Sequence, residues 1–365
     1  MEQEIHFSTA PDGVRIAYAT VGEGPPLVKA ANWLNHLEFD WRSPVWRHVL
    51  EELARDHLLV RYDERGNGLS DWAVEDLSFE SFVLDLESVV DAVGLSRFAL
   101  LGISQGGAVA IAYAVRHPER VSHLILYGAY ALGWAKRGAP PEELERRQAQ
   151  LTLIKLGWGQ DNPAFRQLWT TLYMPDATPE QMRWFNDLQR ITTSPENATR
   201  LFRELGNIDV LDLLPQVKVP TLVLHCRSEV AVPFEEGRRL AALIPGARFV
   251  PLEGRNHLLL ESEPAWAKFI TEVRRFLGTE REAVIGRQGG QSRTMKRCPS
   301  CRRVYADETL RFCRHDGTPL VGELSDASDP TSAIAGTARQ SNDFEPTKAF
   351  HPGTTSNEDN RSETD

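Results

Sequence analysis

One stretch of the sequence, residues 98–117, restricts the possible folds more than any other. The apolar run Phe98–Leu101 leads directly into Gly102-Ile103-Ser104-Gln105-Gly106-Gly107, and an alanine-rich segment with helical composition follows. A strand, a tight glycine turn and a helix in this order form the context in which Gly-x-Ser-x-Gly presents a serine hydroxyl above a parallel sheet. Glycines at both ends of the turn let strand and helix approach closely. The stretch therefore predicts an α/β fold with Ser104 as a nucleophile.

Residues 1–278 carry the alternating pattern of an α/β domain. Seven short apolar runs, several of them rich in β-branched residues, are separated by longer segments with helical periodicity. Several runs are apolar almost throughout, which is typical of parallel strands covered by helices on both faces. We therefore predict one such sheet, built from the strands Val14–Thr20, Pro26–Ala30, His57–Tyr62, Arg97–Ile103, Val121–Tyr127, Pro220–His225 and Ala247–Leu252.

Residues 131–210 interrupt this alternation and show no strand pattern. One helix is predicted from Pro140-Pro141 to Gly157, and another from the cap Ser194 and Pro195 to about Gly206. Between them, apolar side chains recur at helical spacing. A block of helices inserted into an α/β sheet is expected to lie over one edge as a lid, with most of its aromatic residues forming the core of that lid.

A serine nucleophile needs a base to accept its proton and an acid to orient that base. His257 follows the last predicted strand, on a loop at the carboxyl end, where the catalytic groups of open α/β sheets gather. The loop after the sixth predicted strand contains one acidic residue, Glu229, before the next helix begins. We therefore predict a catalytic triad of Ser104, Glu229 and His257.

A further motif, Asp63-Glu64-Arg65-Gly66-Asn67-Gly68-Leu69-Ser70, follows the third predicted strand. Together with the Gly-x-Ser-x-Gly turn and the order serine, acid, histidine, it resembles the α/β-hydrolase superfamily over about three quarters of the chain. The resemblance implies an α/β-hydrolase sheet with helices on both faces and an inserted helical lid. By position, it also implies that the backbone N–H groups of Trp33 and Gln105 form the oxyanion hole.

Two positions depart from the pattern of this family. The family most often has Asp at the position of Glu229, although Glu also occurs in such triads. The His-Gly that usually precedes the oxyanion loop is absent, and the sequence there reads Ala31-Asn32-Trp33. Because the donors of an oxyanion hole are backbone groups, they tolerate side-chain change, and we expect the hole to be retained.

The function that this resemblance implies is two-step acyl transfer on a carboxylic ester or lactone, with no cofactor for catalysis. Relatives on the same scaffold cleave peptides, split carbon–carbon bonds or perform cofactor-free peroxidation, so the bond that is cleaved stays open. A second hypothesis is a signal-sensing or regulatory module with little turnover, whose output passes through the C-terminal segments. A third hypothesis is a pseudo-enzyme.

Composition and charge favour a small-molecule substrate over a macromolecular partner. The net charge of −10 argues against nucleic acid, because binding to phosphate backbones requires an excess of Lys and Arg. The sequence contains neither a membrane-spanning apolar run nor a secretory signal, so we expect no membrane partner and a cytoplasmic location. Large aromatic residues near the predicted site favour a substrate with an apolar portion, namely Trp33, Phe39, Trp41, Trp46, Trp134 and Trp158.

Three of the four cysteines, Cys298, Cys301 and Cys313, lie close together near the C-terminus. This clustering predicts a linker at 279–295 and a zinc-ribbon-like segment at 296–322, in which structural zinc has a fourth ligand from Asp316 or His315. So short a segment cannot fold on an apolar core alone and requires a metal or docking onto the main domain. A degenerate segment without metal is the alternative.

Residues 323–365 form an acidic tail with nine acidic and three basic residues and few large apolar ones. This composition predicts disorder. Two segments of the tail are nearly the same, Asp329-Pro-Thr331 and Glu345-Pro-Thr347, and each is followed by any residue, an alanine and an apolar residue. This near-repeat suggests a short linear motif. Our hypothesis is that Thr331 and Thr347 are phosphorylated or bound by a protein partner. Chance similarity in a biased composition is the alternative.

Overall fold

The computed structural model describes residues 1–279, 296–301, 304–305, 310–313, 315 and 317–322. The chain divides into two units, one ending at Val284 and one beginning at Ile285, and each is described by itself. The tail predicted at 323–365 and nearly all of the linker predicted at 279–295 lie outside the described residues. Asp316, Thr331 and Thr347 also lie outside them.

Eight strands of the first unit form a single sheet in the spatial order β1-β2-β4-β3-β5-β6-β7-β8. The pairs β1–β2 and β2–β4 are antiparallel, and every pair from β4 to β8 is parallel. The strands are β1 (Glu4–Thr9), β2 (Arg15–Val21), β3 (Pro26–Lys29), β4 (Leu58–Tyr62), β5 (Phe98–Ile103), β6 (Val121–Tyr127), β7 (Thr221–Cys226) and β8 (Arg248–Leu252).

The seven predicted strands are all present, and their ends differ from the prediction by at most one residue. The strand that the sequence did not reveal is β1, which lies at the edge of the sheet. Most of its side chains are at least partly exposed, including Phe7. An edge strand with one buried residue lacks the apolar alternation by which strands are recognised in a sequence.

Helices cover both faces of the central strands. Every residue of β5 and β7 is buried. Because successive side chains of a strand point to opposite faces, both faces must be covered. The helices outside the insertion are α1 (Leu37–Trp41), α2 (Arg47–Ala54), α3 (Phe79–Ala92), α4 (Gly106–Arg116), α9 (Phe234–Leu243) and α10 (Pro264–Leu277).

The insertion between β6 and β7 is helical, as predicted. It contains α5 (Pro141–Gly157), α6 (Pro163–Tyr173), α7 (Pro179–Thr192), α8 (Pro195–Asn207) and a 3-10 helix at Leu211–Gln216. Ser194 caps α8 by accepting a hydrogen bond from the backbone of Asn197 at 3.1 Å. The backbone N–H of His257 donates to the carbonyl of Tyr173 at 2.8 Å. The insertion therefore lies over the carboxyl edge of the sheet as a lid.

The Asp63–Ser70 motif forms a tightly bonded turn after β4. The carboxylate of Asp63 accepts backbone N–H groups from Leu37 at 3.1 Å and Leu69 at 2.8 Å. The buried Arg65 donates to both carboxylate oxygens of the buried Asp85, at 2.6 and 2.8 Å. Burial raises the pKa of Asp63 to about 7. The motif thus supports the loops beside the sheet edge through buried polar contacts.

The second unit contains a small antiparallel sheet in the order β10-β9-β11. Its strands have two residues each and are β9 (Lys296–Arg297), β10 (Val304–Tyr305) and β11 (Val321–Gly322). Such short strands bury little apolar surface, so another source of stability is needed.

Candidate active site

Ser104 lies at the turn between β5 and α4 with a φ of 55°. Within the described part of the chain it is the one residue other than glycine with a positive φ. An L-residue in this region is strained and persists where surrounding structure enforces it, often at functional sites. The backbone N–H of Ser104 donates to the carbonyl of Tyr127 at 3.1 Å, which ties the turn to β6.

The glycines of this turn are required by close backbone contacts. A Cβ on Gly106 would lie 2.5 Å from the carbonyl oxygen of Ala31, and one on Gly102 would lie 2.6 Å from the Cα of Gly107. Both distances are far below van der Waals contact. The glycines therefore allow α4 to start directly against β5 and the loop after β3, as predicted from the sequence.

Ser104 lines a small cavity beneath the lid, with a volume of ≈ 50 Å³. Aromatic side chains form much of its wall, namely Trp33, Tyr130, Trp134, Tyr173 and Phe202. Two of the aromatic residues singled out in the sequence therefore reach the cavity. Among the others, Trp158 is buried and stacks on Trp33 with ring centres 5.4 Å apart, and Phe39 stacks on Trp184 at 5.1 Å. These rings pack the core and the lid.

The two predicted oxyanion donors, Trp33 and Gln105, line the same cavity as Ser104. Gln105 precedes the first residue of α4, where backbone N–H groups have no partner within the helix. Within the described residues, neither the N–H of Trp33 nor that of Gln105 donates a hydrogen bond to another part of the chain. Both groups are therefore available to a negatively charged oxygen at the cavity.

His257 and Glu229 form a buried pair at the carboxyl edge. His257 Nδ1 lies 2.5 Å from Glu229 Oε1, and the two side chains are 3% and 0% exposed. Glu229 Oε1 also accepts the backbone N–H of Val232 at 3.0 Å, which fixes the carboxylate. With Nδ1 occupied, Nε2 is the ring nitrogen available to exchange a proton with another group.

The histidine pair and the serine turn meet at Gly128, the residue after β6. A Cβ on Gly128 would lie 3.2 Å from Cε1 of His257 and 3.3 Å from Oε2 of Glu229. Its neighbour Tyr127 accepts the backbone hydrogen bond of Ser104. The ring of Tyr173, which lines the cavity with Ser104, lies 5.5 Å from the His257 ring. Through Gly128 and Tyr173, the pair of His257 and Glu229 therefore lies in the neighbourhood of the Ser104 turn.

A second histidine, His225, supports Glu229 and was not singled out in the sequence. It lies in β7 with its side chain 0% exposed, and its Nε2 is 3.4 Å from Glu229 Oε2. The same nitrogen is 3.1 Å from the carbonyl oxygen of Val232, so it carries the proton in this arrangement. A polar residue inside an otherwise apolar buried strand was the signal available in the sequence.

Two arginines, Arg137 and Arg147, also line the cavity and were not anticipated. Arg137 precedes α5, and Arg147 is one of several charged residues of that helix. Tyr173 faces the same cavity, and burial raises its pKa to about 12, so its hydroxyl is neutral at ordinary pH. The cavity therefore combines aromatic walls with two guanidinium groups.

Cys298, Cys301 and Cys313 of the second unit have sulfur atoms within 4.8 Å of one another. Backbone N–H groups of Cys301 and His315 donate to the sulfurs of Cys298 and Cys313, each at 3.4 Å. Converging thiols that accept backbone N–H groups suit a thiophilic metal such as zinc. Among the described residues, the exposed His315 does not place a ring nitrogen in this group. The fourth ligand stays a prediction.

Comparison with known proteins agrees with this architecture. A family model described as alpha/beta hydrolase fold matches residues 41–264, more than half of the chain. The AB hydrolase superfamily protein YisY of Bacillus subtilis is 28% identical over 255 residues, covering 69% of this chain and 92% of that relative. The pimeloyl-[acyl-carrier protein] methyl ester esterase of Nitrosomonas europaea is 29% identical over 250 residues, covering 67% and 93%.

Among solved structures, an esterase from Exiguobacterium antarcticum superposes with a TM-score of 0.63 at 24% identity. The superposition covers 74% of this chain and 98% of the esterase, and it shows a shared fold. No helix within the described residues is long and apolar enough to cross a lipid bilayer. The sheet order, the serine turn after β5 and the family match lead to one conclusion: this chain belongs to the α/β-hydrolase fold family.

Proposed function

We propose that the protein is a serine hydrolase that cleaves a carboxylic ester or lactone through an acyl-enzyme on Ser104. The observation that carries the proposal is the buried His257–Glu229 pair beside a serine held at a φ of 55° on a strand–helix turn. One relative supports an ester bond as the target, since it is named a methyl ester esterase.

In the first half of the reaction, Ser104 Oγ attacks the substrate carbonyl carbon while His257 Nε2 accepts the hydroxyl proton. Glu229 accepts a hydrogen bond from the Nδ1–H of His257 and stabilises the imidazolium that forms. The negative charge that develops on the carbonyl oxygen is stabilised by the N–H groups of Trp33 and Gln105. When the intermediate collapses, the ester C–O bond breaks, and His257 donates its proton to the leaving alcohol oxygen.

In the second half, water attacks the carbonyl carbon of the acyl-enzyme and gives a proton to His257. Collapse of the second tetrahedral intermediate breaks the bond to Ser104 and returns that proton to the serine oxygen. The products are a carboxylic acid and an alcohol, or a hydroxy acid if the substrate is a lactone. A cavity of ≈ 50 Å³ holds only a few water molecules, so a substrate must displace lid side chains as it enters.

The test is hydrolysis of 4-nitrophenyl butyrate by the full-length protein and by the variants Ser104→Ala and His257→Ala. We expect turnover on the order of ten per second for the wild type and a loss of at least roughly a thousandfold in both variants. Ser228→Ala is the matched control, because Ser228 is an exposed serine next to Glu229. A single turnover with no further release would favour the sensing module, and undiminished activity of Ser104→Ala would refute the proposal.

We further propose that Cys298, Cys301 and Cys313 hold a structural zinc ion, with His315 or Asp316 as the fourth ligand. Zinc analysis of the full-length protein should give about one equivalent, and Cys298→Ser should lose most of it. The matched control is Cys226→Ala, which removes the one cysteine outside the cluster. A wild-type protein that holds no zinc when purified without chelators would contradict this proposal.

A further inference from the structure

Arg137 and Arg147 border the cavity of Ser104, although the proposed mechanism does not use them. Their side chains are 14% and 11% exposed. Guanidinium groups stay protonated in proteins, so both carry a positive charge in this confined place. A charge that is removed from water without a full set of partners is costly, which requires an explanation for both residues.

Arg137 is anchored in a way that leaves part of its guanidinium free. Its Nε donates to the carbonyl of Leu132 at 2.7 Å, and its guanidinium carbon lies 4.9 Å from the ring centre of Tyr130. The carboxylate of Glu236 is 3.9 Å from Nε, beyond hydrogen-bonding distance. Within the described residues, the two terminal nitrogens of Arg137 donate to no other side chain or carbonyl. These N–H groups remain for a ligand.

Arg147 is also only partly used. Its Nε donates to Glu143 Oε1 at 2.8 Å, and one terminal nitrogen donates to Gln150 Oε1 at 3.2 Å. The other terminal nitrogen makes no hydrogen bond to the residues that the structure describes. Both arginines are therefore held by their Nε atoms while N–H groups at their ends stay available.

The carboxylates around these arginines do not balance the positive charge. Two carboxylates lie near them, and each is shared by two guanidinium groups. Glu143 pairs with Arg146 and Arg147. Glu236 pairs with Arg137 and Arg239. Of these four guanidinium groups, Arg137 and Arg147 line the cavity, and each has only a share in one carboxylate. An excess of positive charge beside a partly buried cavity attracts an anion.

Burial lowers the pKa of Arg137 from its ordinary value. Glu236 and Tyr130 raise this pKa, and the positive charges of Arg147 and Arg239 lower it by smaller amounts. An anionic ligand between the two arginines would supply the missing negative charge. Glu229 is not available to them, because its carboxylate is held by His257 and by the backbone N–H of Val232.

We propose that Arg137 and Arg147 bind a carboxylate carried by the acyl part of the substrate. The preferred substrate is then an ester whose acid portion bears a second carboxylate on a short spacer. Guanidinium groups suit this ligand, because their planar N–H donors match both oxygens of a carboxylate. This inference rests on the proposed function, since it assumes that Ser104 is the nucleophile.

The acyl side is favoured by the course of the reaction. The acyl group stays attached to Ser104 until water releases it, whereas the alcohol must leave before water can attack. The part of the substrate that can be held in an enclosed cavity through both steps is the acyl part. Because Ser104 and both arginines border the same cavity, we expect a spacer of only a few carbon atoms.

The experiment compares two esters of equal acyl chain length, mono-4-nitrophenyl glutarate and 4-nitrophenyl valerate. They differ in a terminal carboxylate in place of a methyl group. With full-length wild-type protein, we expect kcat/KM for the glutarate to exceed that for the valerate by roughly tenfold to a hundredfold. In Arg137→Gln and Arg147→Gln this ratio should fall towards one, mainly through a higher KM for the glutarate.

The matched control is Arg146→Gln, which removes the same charge one position away on α5. Arg146 does not line the cavity, and its side chain is 61% exposed. The ratio should therefore remain at the wild-type value. Thermal unfolding of each variant verifies folding, and Arg137→Lys, which keeps the charge but not the planar donors, should give an intermediate ratio.

Two outcomes separate this inference from the proposed function. If the valerate is hydrolysed through Ser104 but the ratio is near one in the wild type, or unchanged in both variants, the anion subsite is wrong and the hydrolase stands. If neither ester is hydrolysed, calorimetric titration with free glutarate decides. Binding that is lost in Arg137→Gln and kept in Arg146→Gln supports the subsite, and absence of binding to the wild type refutes it.

Discussion

The cavity of this protein has two sides that are built in different ways. On the sheet side, Ser104 and Gln105 line the cavity, and the buried pair of Glu229 and His257 lies behind it; these residues follow strands at the carboxyl edge. The lid side consists of Arg137, Arg147, Tyr173 and Phe202, which come from the insertion between β6 and β7. Positions on the sheet side are fixed by backbone constraints, such as the positive φ of Ser104 and the close contacts of Gly102 and Gly106.

The lid side is fixed by side-chain packing instead. Phe202 contacts the rings of Trp33, Trp134 and Trp169 at distances of 5.3 to 5.9 Å. Replacing one such side chain changes the shape of the cavity without moving the serine turn. We therefore propose that the sheet side determines which reaction is possible and that the lid side determines which substrate is accepted. Changes on the two sides should therefore affect kcat and KM differently.

The largest effect is expected for Glu229→Gln on the sheet side. The neutral amide of Gln cannot stabilise the imidazolium of His257 by charge. Its N–H group can also face Nδ1 of His257, which must itself donate a hydrogen bond. We expect kcat for 4-nitrophenyl butyrate to fall by about a thousandfold or more, measured by steady-state kinetics. Glu253→Gln, an exposed neighbour on the loop after β8, serves as the control. Retention of most of the activity would show that Glu229 does not orient the base.

A smaller effect is expected for His225→Leu, which removes an imidazole that lies 3.4 Å from Glu229 Oε2 and is 3.1 Å from the Val232 carbonyl. We expect kcat to fall by roughly tenfold, because the loop that carries Glu229 loses its hydrogen bond from His225 Nε2 to the Val232 carbonyl. His225→Gln can place an N–H near the position of Nε2 and should restore most of the loss. Equal activities of the Leu and Gln variants, with both folded, would mean that His225 only fills space in β7.

On the lid side, Phe202→Leu should change substrate binding more than chemistry. Loss of the ring enlarges the cavity and removes contacts to aromatic neighbours, so we expect KM for 4-nitrophenyl butyrate to rise by about threefold to tenfold with kcat nearly constant. Full kinetic curves for both parameters provide the measurement. If kcat fell as steeply as in the sheet-side variants, the division between the two sides would be wrong.

The smallest effect on rate is expected for Glu64→Gln, in the Asp63–Ser70 turn. This variant should instead change the stability of the protein in a pH-dependent way. Burial raises the pKa of Glu64 from 4.5 to about 8. Between these values the folded protein keeps a proton that the unfolded chain has lost, so the contribution of Glu64 to stability decreases as pH rises. Relative to the wild type, the free energy of unfolding of the variant should therefore be higher at about pH 8 than at about pH 5, by on the order of a few kcal/mol.

Urea unfolding at the two pH values measures this gain. Glu75→Gln is the control, because Glu75 is an exposed glutamate on the loop before α3. An equal gain at both pH values would show that Glu64 is already ionised in the folded protein.

The two sides of the cavity also differ in how far the sequence predicted them. Ser104 and His257 were predicted as site residues because each follows an apolar strand run, and parallel strands bring their carboxyl ends to one edge. The same reasoning located Glu229 as the acid after the sixth predicted strand. Backbone geometry of this kind is encoded locally, in the glycines and the apolar runs.

Arg137, Arg147 and His225 were not predicted, because their roles depend on tertiary packing. Arg147 lies in a helix with many charged residues, where a solvent-exposed position is the ordinary expectation. Only the docking of the lid brings its guanidinium to Ser104. His225 ends a predicted strand, and its contact with Glu229 requires the loop after β7 to fold back. The edge strand β1 was missed because its pattern is weak.

Labelling with a fluorophosphonate tests the central claim most directly, since it reports on an activated serine without assuming a substrate. We predict one phosphonyl group per chain, located on the peptide that contains Ser104 by mass spectrometry. The label should be absent in Ser104→Ala and should form far more slowly in His257→Ala. A folded wild-type protein that stays unlabelled at Ser104, or that labels equally fast without His257, would contradict the account.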